Sequence, residues 1–218
     1  MEDRSRDATI ILVRHGQTVW NAEHRFQGAK DSPLTELGRE QTRRVAARLS
    51  HTHIDAVYSS DISRARETAE SIIAGRNLSV EPREDLRERS YGVLEGQTLE
   101  EAGATAGAWF LGWEADRIQK SPPAGESQPE MCERVMDTLS EIAQAHPNQT
   151  VVVATHAGPI KSAVYDILCV PLSLWNLTFI SNGSLTTLRG TPEVMRVVSF
   201  NDTCHLDSPA PTQKAAGD

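Results

Sequence analysis

Thr9-Ile10-Ile11-Leu12-Val13-Arg14-His15-Gly16 is an unbroken apolar run that ends on an arginine, a histidine and a glycine. An apolar stretch without alternation reads as a strand buried on both faces, as in a parallel sheet. Working outward from this strand (9–13), residues 56–58 read as a second strand and 151–155 as a third. Helical patterns fill the intervals. Thr35 is a good N-cap for a helix that carries Leu37, Gln41, Val45 and Leu49 on one side. A second helix is predicted over about 61–74. A third spans 127–145, with Met131, Val135, Leu139 and Ile142 at helical spacing. A fourth runs from Pro159, a favoured first-turn residue, to Leu168. Residues 185–188 and 194–200 read as closing strands.

Strands alternating with helices define the α/β class. The expectation is a three-layer α/β/α domain over 1–205, with a mostly parallel central sheet. The charge-rich stretch 85–95 reads as irregular, and about 97–126 as a small helical insertion over the active site. The tail 206–218 is expected to be disordered. In such sheets ligands bind outside the carboxyl ends of the strands. That rule selects Arg14 and His15 after the first strand, 59–64 after the second and His156 after the third.

Composition narrows the function. The 218 residues are 39% hydrophobic and 24% charged, as in ordinary globular chains. A net charge of −8 argues against a nucleic-acid surface, though a few arginines in one cleft can reverse the field locally. No apolar run approaches the roughly 20 residues of a membrane span. The start, 1–7, is polar and lacks the apolar centre of a signal peptide. Cys132, Cys169 and Cys204 are odd in number and far apart, which fits a reducing compartment. A cytoplasmic protein is therefore expected, with no nucleic-acid or membrane partner. No metal and no cofactor are expected: His51 and His53 would make at most a weak surface site, and the strand-end histidines lack the further ligands zinc requires.

The strand-end residues carry the chemistry. Arg14 offers a planar fork suited to phosphate oxygens, and Gly16 lets backbone approach a ligand. A neutral histidine can act as a nucleophile. Arg64, in the first turn of a helix, opposes the helix dipole, and an anion shared with that helix start would account for it. His156 precedes Ala157-Gly158 at the same sheet edge.

The segment 12–21, LVRHGQTVWN, resembles the signature of the phosphoglycerate mutase-like histidine phosphatases. Four further segments resemble that family's motifs, in its order: 25–28 (RFQG) with 34–38 (LTELG), 59–69 (SSDISRARETA), 86–96 (LRERSYGVLEG) and 154–158 (ATHAG). The resemblance covers about 10–200. It implies that His15 becomes phosphorylated, that Arg14, Arg64 and His156 surround the phosphoryl oxygens, and that Glu88 is the proton donor, Glu95 being the competing carboxylate. It also implies ligand-holding roles for Asn21, Gln27, Gly28, Arg89, Tyr91, Gly16 and Gly158. The chemistry is consistent: two arginines and a protonatable histidine neutralise the equatorial oxygens, and an acid protonates the leaving alkoxide. The resemblance implies hydrolysis of a small phosphorylated metabolite, with a mutase or a non-catalytic phospho-ligand binder as alternatives, and a homodimer. The mutase pattern includes an adjacent basic pair after the acid motif. Residues 103–120 offer Trp109, Trp113, Arg117 and Lys120 instead.

Overall fold

The computed structural model describes residues 6–207 and arranges them around one six-stranded sheet. Its strands are β1 (Ala8–Arg14), β2 (Ala56–Ser60), β3 (Val80–Arg83), β4 (Thr150–Thr155), β5 (Leu185–Gly190) and β6 (Met195–Asp202), in the order β3-β2-β4-β1-β5-β6. The neighbours β3, β2, β4 and β1 are parallel, while β5 and β6 close one edge antiparallel. The helices are α1 (Val19–Ala22), α2 (Glu36–Leu49), α3 (Ser63–Ile73), α4 (Leu99–Thr105), α5 (Ala108–Ala115), α6 (Gln128–Ala145), α7 (Ala157–Ile167) and α8 (Cys204–Asp207).

Successive side chains of a strand point to opposite faces, so an apolar strand needs cover on both. Ile10 and Leu12 of β1 join Val151 and Val153 of β4 in a core shared with Met131, Leu139 and Ile142 of α6 and Ile160 of α7. Ile11 and Val13 join Val152 and Ala154 against Val45 and Leu49 of α2 and Ala69 and Ile72 of α3. The three-layer α/β/α expectation holds. A third, smaller core lies in the insertion, where Leu94, Ala102, Phe110 and Trp113 pack with Phe26 and Tyr91.

Three local expectations are corrected. The buried stripe of α2 is Gly38, Thr42, Val45 and Leu49, and Leu37 is 54% exposed. The reason is backbone contact: a Cβ at Gly38 would collide with Gln17, and one at Gly16 with Gly38. The helix is thus pressed onto the loop after β1 through two glycines. Strand β3 was not read from the sequence. It is an edge strand containing Pro82, which only an edge tolerates. Leu206 and Asp207, expected to begin a disordered tail, belong to α8, and the Leu206 carbonyl accepts from Arg44 Nη1 at 2.7 Å. The remainder of that tail, 208–218, lies outside the described residues.

Leu139→Ala should cost about 2–5 kcal/mol in denaturant unfolding, the scale of a buried leucine deletion. Leu37→Ala should stay within about 0.5 kcal/mol of the parent, as surface changes do. Comparable losses would restore Leu37 to the packed face.

Candidate active site

The sheet brings the two histidines together. Arg14 and Thr155 are register partners at the ends of β1 and β4, so His15 and His156 leave adjacent strands side by side. The His15 N–H donates to Thr155 O at 3.0 Å, and the two rings meet edge-on with centroids 5.1 Å apart. Strand β2, on the other side of β4, leads to α3 and delivers Arg64 to the same place. Both imidazoles and Arg64 are buried. Arg14, His15, Arg64 and Glu88 line a cavity of about 160 Å³ together with Asn21, Gln27, Gly28 and Tyr91.

Hydrogen bonds fix the tautomer of each ring. His15 Nδ1 lies 2.7 Å from Gly16 O. A carbonyl only accepts, so Nδ1 carries the proton and Nε2 keeps its lone pair. Burial, then the charges of Arg64 and Arg14, hold His15 well below its ordinary pKa, so this lone pair is available at neutral pH. Arg64 Nε donates to His156 Nδ1 at 3.2 Å. The His156 proton therefore sits on Nε2, which is buried with no protein partner. Burial and the same arginines keep His156 neutral. This corrects the expectation of a charged histidine: His156 offers a neutral N–H, and the positive charge comes from the arginines.

Arg14 donates through Nη1 to Ile180 O, while its Nε is buried and unpartnered. Burial lowers its guanidinium to about 10, which leaves it cationic at neutral pH. Arg64 donates to Lys30 O and Gly28 O, each at 2.7 Å. The anion inferred from its place in the helix start is thus not required to account for it, because carbonyls and a histidine already take these N–H groups.

The two candidate carboxylates have different surroundings. Glu88 lines the cavity, and its oxygens accept from Arg89 N at 2.9 Å and Gly158 N at 3.1 Å. A Cβ on Gly158 would collide with this carboxyl, so the glycine makes room for Glu88. Glu95 accepts from Ala29 N, Lys30 N and Tyr91 N at 3.0–3.1 Å and from Ser90 Oγ at 3.3 Å. It ties the 28–30 loop to the 90–91 turn, and Gly28, at φ +55°, packs against it where a Cβ would not fit.

Other predicted residues are placed as follows. Tyr91 lines the cavity, and burial raises its hydroxyl to about 12, so it remains a donor. Arg89 is not in the cavity wall. Its guanidinium donates to the carbonyls of Glu126, Arg117 and Lys120 and secures the end of the insertion. Gly16 packs against the Gly38 backbone, where a Cβ would not fit. Arg25 and Phe26 complete the lining; the 25–28 motif segment contains both, but the sequence reading assigns neither a role. Lys161 was also missed. It is a lone cation in the apolar sequence of α7, donates to the carbonyls of Trp175 and Thr178, and is lowered by burial to about 8. Among the described residues, no group of three His, Cys, Asp or Glu side chains is placed to hold a metal ion.

A free imidazole nitrogen beside two arginines and an unpartnered N–H makes a pocket suited to a tetrahedral oxyanion such as a phosphoryl group. The family described as the histidine phosphatase superfamily (branch 1) matches residues 10–203, and the chain belongs to it. It is 32% identical to phosphoserine phosphatase 1 of Hydrogenobacter thermophilus over 197 residues, 90% of this chain and 93% of that one. It is 41% identical to phosphoglycerate mutase-like protein 4 of Arabidopsis thaliana over 159 residues, 71% and 69% of the two chains. The solved structure of Bacillus stearothermophilus YhfR superposes with a TM-score of 0.85 at 32% identity, covering 92% of this chain and all of the other.

Nitrogen-15 NMR of the imidazoles should show both active-site rings neutral at pH 6.5, His15 protonated on Nδ1 and His156 on Nε2. As pH falls through their lowered pKa values, the rings take up protons and the nucleophilic lone pair is lost. A charged His15 at pH 6.5, or the opposite tautomer, would overturn this assignment.

Proposed function

We propose that this chain hydrolyses small phosphorylated metabolites in the cytosol through a phosphohistidine on His15, without a metal ion. The observation that carries the reading is the pair of buried, unpartnered donors, Arg14 Nε and His156 Nε2, beside a His15 whose Nε2 lone pair is free. Buried N–H groups without partners are costly unless a ligand takes them. Three phosphoryl oxygens would do so.

The reaction has two steps. His15 Nε2 attacks phosphorus, the P–N bond forms and the P–O bond to the alcohol breaks. Glu88 gives its proton to the departing oxygen. Arg14, Arg64 and the His156 N–H stabilise the charge on the equatorial oxygens. Water then attacks phosphorus, Glu88 takes its proton, and phosphate leaves with the electron pair returned to His15. Asn21, Gln27, Gly28 and Tyr91 hold the phosphoryl group and the first atoms of the alcohol.

A mutase passes the phosphoryl group to a second hydroxyl instead of water, and several relatives carry mutase or mutase-like names. The basic groups available to grip such an intermediate are otherwise engaged. Arg89 serves three carbonyls, Lys120 Nζ donates to Gly112 O at 3.1 Å, and Arg117 pairs with Glu114 and stacks over Trp113. This favours water as acceptor. Among the described residues the three cysteines form no disulfide with one another, which is compatible with a reducing cytosol. Light scattering on the purified chain distinguishes a monomer from the expected homodimer.

A panel of phosphomonoesters, with phosphate release and acid-labile labelling both measured, tests the reading. His15→Ala should abolish turnover and labelling together. Retained hydrolysis would exclude His15 as nucleophile, and fast isomerisation of phosphoglycerate with little free phosphate would reverse the choice of acceptor. Glu88→Gln should slow phosphorylation of His15 by alkyl phosphates about 100-fold or more, the scale of general acid catalysis. Its effect on p-nitrophenyl phosphate should be much smaller, because that phenolate leaves without a proton. Glu95→Gln should instead lower stability by about 1–3 kcal/mol, as a buried acceptor set is disrupted, and keep the alkyl-to-aryl ratio. If Glu95→Gln alone selectively harms the alkyl substrate, the acid is the other carboxylate.

A further inference from the structure

Asn182 carries no assigned role, yet its side chain sits at the back of the phosphoryl cup. Its Nδ2 donates to His15 O and to Asn21 Oδ1, each at 3.1 Å. Two oxygen acceptors use both hydrogens of one NH2 group, so the orientation of this amide is unambiguous. The segment bearing Asn182 is itself held. Gly183 N donates to Arg14 O at 3.0 Å, Ile180 O accepts from Arg14, and Lys161 Nζ donates to Thr178 O at 3.0 Å.

The consequence falls on Asn21. Its Oδ1 accepts from Thr18 N at 3.1 Å as well as from Asn182. Turning the Asn21 amide over would face its NH2 against those two donors. The Asn21 NH2 is therefore left to the cavity that Asn21 lines. Thr18 Oγ lies 3.1 Å from Asn21 Oδ1 and 2.9 Å from Gln27 Oε1, and its single hydrogen serves one of them at a time, so it is the N–H donors that fix the Asn21 amide. Unheld, that amide could present an oxygen to an anion and repel it.

We propose that Asn182, acting with Thr18, is a positioning residue that locks the Asn21 amide with an N–H donor, not an oxygen, toward the bound phosphoryl group. This rests on the phosphoryl-site reading above and adds to it a residue from the segment before β5, which touches the reacting atoms only through Asn21 and the His15 backbone.

A double-mutant cycle on orthovanadate binding, measured by calorimetry, tests it. Asn21→Ala should weaken binding about tenfold, the scale of one hydrogen bond to a charged group. Asn182→Ala should cause a similar loss, and the double variant should bind within about twofold of Asn21→Ala. Additive losses would show that Asn182 acts independently of Asn21 and would overturn the inference, whatever the melting temperatures. Asn182→Asp provides a second route if Asn182→Ala does not fold. Its carboxylate oxygens should turn the Asn21 amide over, so it should weaken binding beyond the tenfold set by Asn21→Ala alone. In an Asn21→Ala background Asn182→Asp should cost no more than twofold. A larger residual penalty would mean that its charge acts on the anion directly, and the inference fails. Absence of any orthovanadate binding by the unaltered protein would instead remove the phosphoryl site itself, and this inference with it.

Discussion

A guanidinium enclosed in protein must find partners for its N–H groups, and Arg64 finds three of them on two different segments. It donates to Gly28 O and Lys30 O in the loop after α1 and to His156 Nδ1 at the end of β4. That one side chain fixes the loop that floors the cavity and selects the tautomer of His156. Its charge also disfavours protonation of both rings, second only to burial. The same cation that makes the cavity attractive to an anion thus keeps the His15 ring unprotonated. A lysine, with one ammonium in place of a planar fork, could not reach three acceptors in these directions.

The two glutamates of the 86–96 segment show how backbone geometry separates chemical roles. Both lie in the same charge-rich stretch, and both are partnered by glycines that leave room for a carboxyl group. Glu95 collects N–H groups from the 29–30 loop and from the 91 turn, so its oxygens serve as a structural anchor. Glu88 collects only two, one of them from the first turn of α7, and still faces the cavity. Gly158 thus contributes through the space it leaves and the N–H it offers.

Much of this was legible in the sequence, for physical reasons. Buried parallel strands are continuous apolar runs, and the carboxyl-end rule places their following residues in one cleft; Arg14, His15, Arg64 and His156 were all found that way. The motif resemblance added Glu88, Asn21, Gln27, Gly28 and Tyr91, which all line the cavity. What escaped depends on contacts that periodicity does not encode. The glycine contact between residues 16 and 38 shifted the buried face of α2 away from Leu37. Edge strand β3 has too few residues and a proline. Arg89 looked like a ligand-gripping arginine because its carbonyl partners lie 28 to 37 positions away in the chain. The charge state of His156 was misjudged because burial, not the residue type, decides it.

Among the described residues, the satellite core of the insertion shares Phe26 and Tyr91 with the cavity lining. Arg25, also of the lining, ties the insertion down through Glu101 of α4 and the Gly96 carbonyl, so the insertion and the strand ends meet along a narrow seam. A change within the satellite core therefore reaches the strand-end residues by way of that seam, through Phe26, Tyr91 and Arg25.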